Sequence, residues 1–172
     1  QDNNSITNSK SNGIYQLRDG TNTSFWQSDG TAPHCINIRF YKKTRLNLLC
    51  FYIDFKADES YTPYEIVIYA GSWFHDLKQI STIKLSEPIG WVCIPLQSNS
   101  DEYITANENP NIITDLRANL LQIRILSSHQ SGRDTHIRQV KIFGPKHNDN
   151  NNFQNGLNSF TSLEFNQFSV LR

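Results

Sequence analysis

An antiparallel β-sandwich or jelly roll, an all-β fold, is the structure that this sequence predicts. In most of its apolar segments hydrophobic and polar residues alternate with a period of two, as in half-buried strands. Short groups of turn-forming residues separate these segments. No long segment has the helical period that the crossovers of a parallel sheet require. We therefore expect about six to eight strands in two packed sheets.

The strand segments follow one another from residue 35 onwards. In CINIRF, Ile36, Ile38 and Phe40 share one face. The next run, RLNLLCFYIDF, is apolar on both faces and is typical of a central strand. The later segments are YEIVIYAG, the run from Trp91 to Leu96, LLQIRIL and HIRQVKIF. The predicted turns are Lys42-Lys43, Asp58 to Ser60, Gly71-Ser72, Pro88 to Gly90 and Ser131-Gly132.

Length and charge limit the classes of function. The chain has 172 residues, which is one domain's worth, and its 16 Lys and Arg balance 16 Asp and Glu. A neutral chain without a polybasic surface predicts no nucleic acid as the main partner. There is no apolar run long enough for a membrane helix, and the N-terminus is polar, so we expect no membrane association and no export. Because the sequence contains no Met, we expect further residues upstream.

Cysteines and tryptophans are expected mainly in the core. Cys35, Cys50 and Cys93 each lie in an apolar run without a CxxC spacing, which favours reduced core residues over a disulfide or a zinc site. Trp91 also lies in an apolar run and is expected to be buried. Trp26 and Trp73 are either binding platforms or core residues, and the second alternative is favoured.

Composition divides the chain into four segments. We expect a flexible N-terminal segment at 1–12, the sandwich at 13–146, an Asn-rich linker at 147–156 and a C-terminal tail at 157–172. The tail regains apolar and aromatic residues, so it is either a returning strand or an element that binds another protein. Residues 97–116 form a long loop whose role the sequence does not predict.

Polar residues concentrate in the loop-like stretches WQSDGTAPH, KADESYTP and HQSGRDTH. If these loops converge, their His and Asp side chains could form a metal site or an acid/base pair, but HExxH and paired Cys are absent and turn capping is favoured. These side chains are Asp29, His34, His129, Asp134 and His136. The sequence predicts no metal and no cofactor, since phosphate-binding glycine motifs are missing too.

A binding module is favoured over an enzyme. The best hydrolase candidate is Ser28 with Asp29 and His34, but no GxSxG motif is present. Arg133 and Asp134, adjacent on one turn, offer donors and acceptors of both charges, which suits a peptide or a sugar. A structural network between these two side chains is an equal alternative.

Four motifs resemble one family in the same order. WQSDGTAPH, DESYTP, EPIGW and HQSGRDTHIRQVKI are similar to the DOC domain, and closely to the DOC-domain subunits, the tenth subunits, of anaphase-promoting complexes. The resemblance covers residues 12–145 and the last residues of the chain. It implies a galactose-binding-like jelly roll. It also implies a non-catalytic substrate-recognition subunit of a RING-type ubiquitin ligase, in the nucleus and cytoplasm.

The resemblance also implies partners and site residues. With a WD40 coactivator, such a subunit forms the receptor for the destruction box of cell-cycle substrates and promotes processive ubiquitination, beside TPR scaffold and cullin-like subunits. The degron-binding residues would be His129, Gln130, Ser131, Arg133, Asp134 and His136. Asp134 would accept from the Arg of the box, and Ser131 stands where the family usually carries Asn. Adjoining loops would contribute Asp29, His34, Asp58 and Ser60.

The end of the chain has its own implied role. Leu171-Arg172 stands where the family typically ends in Ile-Arg, a tail that docks in the groove of a TPR subunit. A frayed terminus is the alternative that composition alone favours. A carbohydrate-binding module on the same galactose-binding-like sandwich remains the alternative function.

Overall fold

A computed structural model describes residues 13–97 and 116–145, together with the backbone of two short strands near the C-terminus. The strands are β1 (Trp26–Gln27), β2 (His34–Leu46), β3 (Leu48–Asp54), β4 (Pro63–Gly71), β5 (Lys78–Lys84), β6 (Ile89–Pro95), β7 (Leu116–Ser128), β8 (His136–Ile137), β9 (Gln139–Gly144), β10 (Thr161–Ser162) and β11 (Ser169–Leu171). Helix α1 (Phe55–Asp58) is one turn long, and 3-10 turns occur at Ile14–Arg18, Glu59–Tyr61 and His129–Ser131.

Two antiparallel sheets face each other. One has the order β11-β2-β7-β4-β5 and the other the order β10-β9-β3-β6, while β1 and β8 form a small separate pair. Every ladder between these strands is antiparallel. The predicted antiparallel β-sandwich is confirmed.

The core lies between the two sheets and follows the predicted alternation. Ile36, Ile38 and Phe40 of β2 are buried, whereas Arg39 between them is exposed. Strand β3 is central, with β9 on one side and β6 on the other, and its Phe51 is fully buried. The doubly apolar pattern of this segment therefore reflects its position in the sheet.

The turn predicted at Lys42-Lys43 is wrong. Strand β2 continues through these residues to Leu46 and stays paired with β7 on both sides of them. The register shifts between Arg39 and Thr44, so the extra residues form a bulge and Lys42 and Lys43 are exposed. A bulge accommodates polar residues inside a strand without reversing the chain.

The prediction of three reduced core cysteines is also wrong. Cys50 is buried, but it lies directly opposite Cys93 in the β3–β6 ladder, with 4.1 Å between the Cα atoms, and a disulfide joins the pair. Cys93 and Cys35 are exposed, and Cys35 is a free thiol. The alternation of β6 points Cys93 to the outer face of its sheet.

Trp91 lies on the same outer face and corrects a second core prediction. Its side chain is 42% exposed, packs edge-on against Tyr52 at 5.4 Å and lies 4.5 Å below the ammonium group of Lys141. Trp73 is 40% exposed, so it is not a core residue either. Trp26 is partly buried and packs against the core. The run from Trp91 to Leu96 looks fully buried in the sequence because apolar residues also occupy the outward face of β6.

The C-terminal segment contributes one strand to each sheet. Strand β10 pairs with β9, and β11 pairs with β2 so that Leu171 is opposite Ile38. Of the two alternatives for this segment, these five residues follow the returning-strand one. The predicted segments 1–12 and 147–156, most of the 97–116 loop and Arg172 lie outside the described residues, and the domain boundaries stay predictions. Within the described parts, no helix is long and apolar enough to cross a membrane.

Candidate functional site

Three polar loops meet at one end of the sandwich. They are the first loop (28–33, before β2), the second loop (55–62, between β3 and β4) and the third loop (129–135, after β7). The amide of Ser28 donates to the carbonyl oxygen of Thr135 at 3.0 Å, and the Thr135 amide donates to the Ser28 hydroxyl at 2.8 Å. Thr135 Oγ1 also donates to the Tyr61 carbonyl at 3.2 Å, so Thr135 links all three loops.

Backbone geometry brings the second and third loops into direct contact. Gln130 and Ser131 adopt left-handed conformations, with φ of 52° and 58°. Gly132 follows, and a Cβ atom at this position would collide with the backbone carbonyl oxygen of Ser60. The His129 amide donates to the Thr62 carbonyl at 2.8 Å. A glycine is needed at residue 132 because of this close approach.

A buried ionic network supports the loops from below. The guanidinium of Arg138 donates to both oxygens of Asp58, from Nε at 3.0 Å and from Nη2 at 2.7 Å. His136 Nδ1 donates to Asp58 Oδ1 at 3.1 Å, and its ring is stacked between Phe25 and Tyr61 at centroid distances of 4.0 and 4.3 Å. The network therefore joins the second loop to the start of the β8–β9 segment.

The carboxyl of Asp58 is held in its charged form. Burial alone would raise its pKa, but the hydrogen bonds from His136 and Arg138 and the charge of Arg138 hold the pKa below its ordinary value. Removing one partner from such a pair leaves an uncompensated buried charge. The structure of the loop end thus depends on an intact Asp58–Arg138 ion pair.

Several predicted site residues lie beneath the loops and not on their surface. Asp58 and His136 are 4% and 7% exposed, and His34 is 5% exposed. His34 Nε2 donates to the Arg133 carbonyl at 2.8 Å, which fixes the third loop against β2. The degron contact predicted for His136 stays a prediction. Its stacking and hydrogen bonds leave little surface for a ligand, and it positions the loop.

The surface of the third loop carries the remaining predicted residues. Gln130, Ser131 and Arg133 are exposed and Asp134 is half-buried. Arg133 Nε donates to the Gly30 carbonyl at 3.3 Å, while no hydrogen bond or ion pair within the described residues engages the Asp134 carboxylate. The alternative of an internal Arg133–Asp134 pair is therefore not what this loop contains. Asp29 is exposed on the neighbouring first loop.

His129 anchors the third loop through its ring. The ring packs edge-on against Phe55 at 5.0 Å and against Tyr64 at 5.3 Å. Its Nε2 atom is buried and has no hydrogen-bond partner in the part of the chain that the structure describes. The imidazole ring thus serves mainly as an aromatic packing group at the junction of the second loop and β4.

The chain matches known proteins along nearly its whole length. Residues 3–170 match the family described as "Anaphase-promoting complex, subunit 10 (APC10)". The chain belongs to the anaphase-promoting complex subunit 10 family. It is 44% identical to the subunits 10 of Mus musculus and Homo sapiens over 133 residues, which are 77% of this chain and 65% of each relative. The match therefore spans slightly less than two thirds of those relatives.

Other relatives are matched over more of their length. The Dictyostelium discoideum subunit 10 is 44% identical over 160 residues, covering 93% of this chain and 77% of the relative. The Drosophila melanogaster subunit 10 is 38% identical over 163 residues, covering 93% of this chain and 75% of the relative.

Several solved structures with the same fold are carbohydrate-binding modules of family 32. The module of AlyQ in complex with 4,5-unsaturated mannuronic acid aligns with a TM-score of 0.56 at 15% identity, covering 77% of this chain and 87% of the module. That of Clostridium perfringens NanJ in complex with galactose aligns with a TM-score of 0.55 at 9% identity, covering 74% and 81%. At such identities the likeness shows the galactose-binding-like fold alone.

Sequence reasoning missed several residues that hold the loop end together. Arg138, Phe25, Tyr61 and Tyr64 were not predicted to contribute. Arg138 is a charged residue in a mostly apolar strand segment and is only 8% exposed, which was the available signal. Its carboxylate partner lies 80 positions earlier in the chain, so no local pattern could identify it.

Two side chains considered for hydrolase chemistry have structural hydrogen bonds at the loop end. Ser28 is buried and binds the Thr135 amide, and His34 binds a backbone carbonyl, so both side chains are used in loop structure. The described ranges contain no group of three or more His, Cys, Asp or Glu that could hold a metal ion. A groove of about 460 Å³ lies elsewhere, between β5 and β6, lined by Ile80, Ile83, Val92 and Ile94.

Proposed function

We propose that this chain is a non-catalytic substrate-recognition subunit of the anaphase-promoting complex ubiquitin ligase. The third loop then forms, with a WD40 coactivator, the receptor for the destruction box of cell-cycle substrates. The observation that carries the proposal is the Arg133-Asp134 turn, with Arg133 exposed and Asp134 half-buried above a buried ionic network, in a chain of the subunit 10 family.

The chemistry of the turn suits a cationic peptide. The Asp134 carboxylate has no partner in the described residues, so it can accept hydrogen bonds from the guanidinium of an arginine in the box. Arg133 uses Nε for the Gly30 carbonyl, which leaves its terminal nitrogens available for peptide carbonyl groups. Because the loops are fixed by backbone hydrogen bonds, little ordering is needed when a peptide binds.

The surface of the third loop is open, which favours a receptor completed by a second protein. We propose that the coactivator supplies the opposite wall and that the ubiquitin chain lengthens because substrate stays bound longer. The cullin-like and TPR scaffold subunits would hold the sandwich in the ligase. Leu171-Arg172 would be one attachment, and Leu171 would leave its pairing with Ile38 of β2 when it docks. The proposed location is nuclear and cytoplasmic, where such substrates are met.

The test is ubiquitination by a reconstituted ligase that contains either wild-type chain or one of two charge-matched variants. Asp134→Asn removes the carboxylate that faces the peptide, and Glu87→Gln removes an exposed carboxylate from the β5–β6 turn. A charge-assisted hydrogen bond of about 1.5–3 kcal/mol predicts a loss of about tenfold or more in destruction-box affinity. The number of ubiquitin molecules added per substrate-binding event should fall for Asp134→Asn only. Equal processivity of all three proteins would contradict the proposal.

Carbohydrate binding is the second candidate, because the fold is that of family 32 modules. A glycan array probed with the isolated chain tests it directly. Strong binding to one sugar class that disappears in Asp134→Asn would place a sugar, and not a degron, at the third loop. Hydrolysis of an ester or glycoside that is lost in His34→Ala would favour the hydrolase alternative.

A further inference from the structure

The end of the sandwich opposite the three loops carries a second polar surface. Arg39 of β2 lies opposite Leu120 of β7, which in turn lies opposite Gly71 at the end of β4. The turn after Gly71 brings Trp73 and Phe74 to this end of the sheet. We call this surface the distal basic corner. The β2–β7–β4 register places at this end the exposed residues Arg39, Lys43, Arg117, Trp73 and Phe74.

Two exposed cations contribute positive charge to this corner. One is Arg117 of β7, which lies directly opposite Arg45 of β2, a residue that has a partner of its own. The other is Lys43 at the neighbouring bulge. No carboxylate within the described residues pairs with Lys43 or Arg117.

The acidic residue nearest in sequence to the two aromatic side chains is already engaged. Asp76 accepts hydrogen bonds from the backbone amides of Trp73 at 2.6 Å and Ser72 at 3.1 Å, and the Trp73 bond in particular keeps its pKa below the ordinary value. These bonds close the turn after β4 and hold Trp73 in place. The Asp76 carboxylate therefore fixes the conformation of the turn and is not paired with a cation of the corner in the described residues.

The aromatic part of the corner is exposed and oriented. Trp73 and Phe74 are 40% and 51% exposed, and their rings pack edge-on at 5.8 Å. The guanidinium of Arg39 lies 3.9 Å from the centre of the Trp73 ring, a close cation–π contact that restrains both side chains. Trp and Arg are the residues that most often dominate protein–protein binding energy.

We propose that the distal basic corner is a docking surface for an acidic segment of a partner protein that carries an aromatic or aliphatic anchor. The arginines and Lys43 complement its carboxylates, while Trp73 and Phe74 pack against the anchor. A protein segment fits better than a nucleic acid, because the cations are few and neighbour exposed apolar rings on a neutral chain. This surface lies at the opposite end from the degron loops, so the inference does not depend on the proposed function.

The test measures fluorescence anisotropy of a labelled peptide, Glu-Asp-Glu-Phe-Glu-Asp-Leu-Glu, with the full chain at low and moderate salt. Arg117→Glu and Trp73→Ala should each weaken binding about tenfold, and Lys56→Glu, an exposed charge reversal on α1, should leave it within about twofold. Replacing Phe and Leu of the peptide by Ser should weaken binding as Trp73→Ala does. Circular dichroism of each variant confirms that it is folded.

Three results would overturn the assignment. One is an equal loss of affinity for Lys56→Glu and Arg117→Glu, which would mean attraction to charge in general. Another is tighter binding of a 20-nucleotide single strand than of the peptide, with the same variants affected, which would make the corner a nucleic-acid surface. The third is a rise of about tenfold in peptide affinity when Asp101, Glu102, Glu108 and Asp115 are neutralised, which would assign the corner to the chain's own acidic segment.

Discussion

Asp58 is at the centre of the ionic network beneath the loops. It links the second loop to Arg138 and His136, and its carboxyl has a lowered pKa in the folded state. In the unfolded chain the pKa returns to about 3.9. The charged carboxylate therefore stabilises the fold fully at pH values above about 4, and this contribution is lost as the pH falls through the lower folded pKa.

We predict that Asp58→Asn lowers the free energy of unfolding by about 3 kcal/mol at pH 7, because Arg138 keeps a buried charge without its partner. The difference from wild type should shrink below about pH 3, where Asp58 of the wild type is becoming protonated. Urea denaturation at the two pH values measures both effects. Asp29→Asn, an exposed carboxylate, is the control and should change stability by less than about 0.5 kcal/mol. An unchanged stability of Asp58→Asn at pH 7 would contradict the role of the network.

His136 illustrates how one residue's role depends on its surroundings. Sequence alone places it beside Asp134 at the end of a polar loop, where a ligand contact is a reasonable expectation. The fold stacks its ring between Phe25 and Tyr61 and leaves Asp134 outside. The two residues of one motif therefore differ in their surroundings: His136 is packed beneath the loop, whereas Asp134 is half-buried at its surface.

The ladder between β3 and β6 differs from the sequence-based predictions in two ways, a disulfide and an exposed tryptophan. Its outer face carries the Cys50–Cys93 disulfide beside the Tyr52–Trp91 pair. The bridge closes a separation of 43 residues and ties the outer strand β6 to the centre of its sheet. Chain entropy alone makes such a closure worth about 2–4 kcal/mol.

We predict one reactive thiol per unfolded chain when the protein is purified without reductant, namely Cys35, and three after reduction. Reduction should lower the free energy of unfolding by about 2–4 kcal/mol. Thiol titration in denaturant and urea denaturation with and without dithiothreitol are the measurements. The variant Cys35→Ser, with no titratable thiol before reduction, is the control. Three thiols in the unreduced wild type would show that the pair is not bridged.

At the scale of the whole molecule, the two ends of the sandwich have different surfaces. The loop end presents the Arg133-Asp134 turn, and the opposite end presents the distal basic corner. The C-terminal residues run along the edges of the sheets, where Leu171 pairs with Ile38 through the backbone. Under the proposed function, these separate surfaces would let the chain contact several neighbours in an assembly at once.

Under the proposed function, deletion of Leu171 and Arg172 should reduce incorporation of the chain into the ligase by about tenfold at limiting concentration, because an aliphatic anchor and a guanidinium are lost together. Incorporation is measured by affinity purification of the tagged chain from cells of its source, followed by mass spectrometry of the ligase subunits. Asp134→Asn should incorporate like wild type, since it lies in another surface. Equal yields for the truncated and full-length chains would contradict a role for the tail in attachment.

Much of the fold could be predicted from the sequence, because alternation is a local property. The spacing of Ile36, Ile38 and Phe40 determines which face of β2 is buried, and the apolar run of β3 indicates a central strand. The same reasoning failed for Trp91 and Cys93, since alternation indicates two faces but not whether the outer one is covered. It also failed at Lys42-Lys43, where a bulge and a turn have similar composition.

The sequence by itself determined the all-β sandwich, its family and the polar loops that form the candidate site. Only the tertiary structure decided which loop residues are buried, that Asp58 meets His136 and Arg138, and that Cys50 meets Cys93. The physical reason is the range of the interactions. Hydrophobic alternation acts between neighbours in the chain, whereas Asp58 is 80 residues from Arg138, and the two meet because β3 and β9 lie side by side in one sheet.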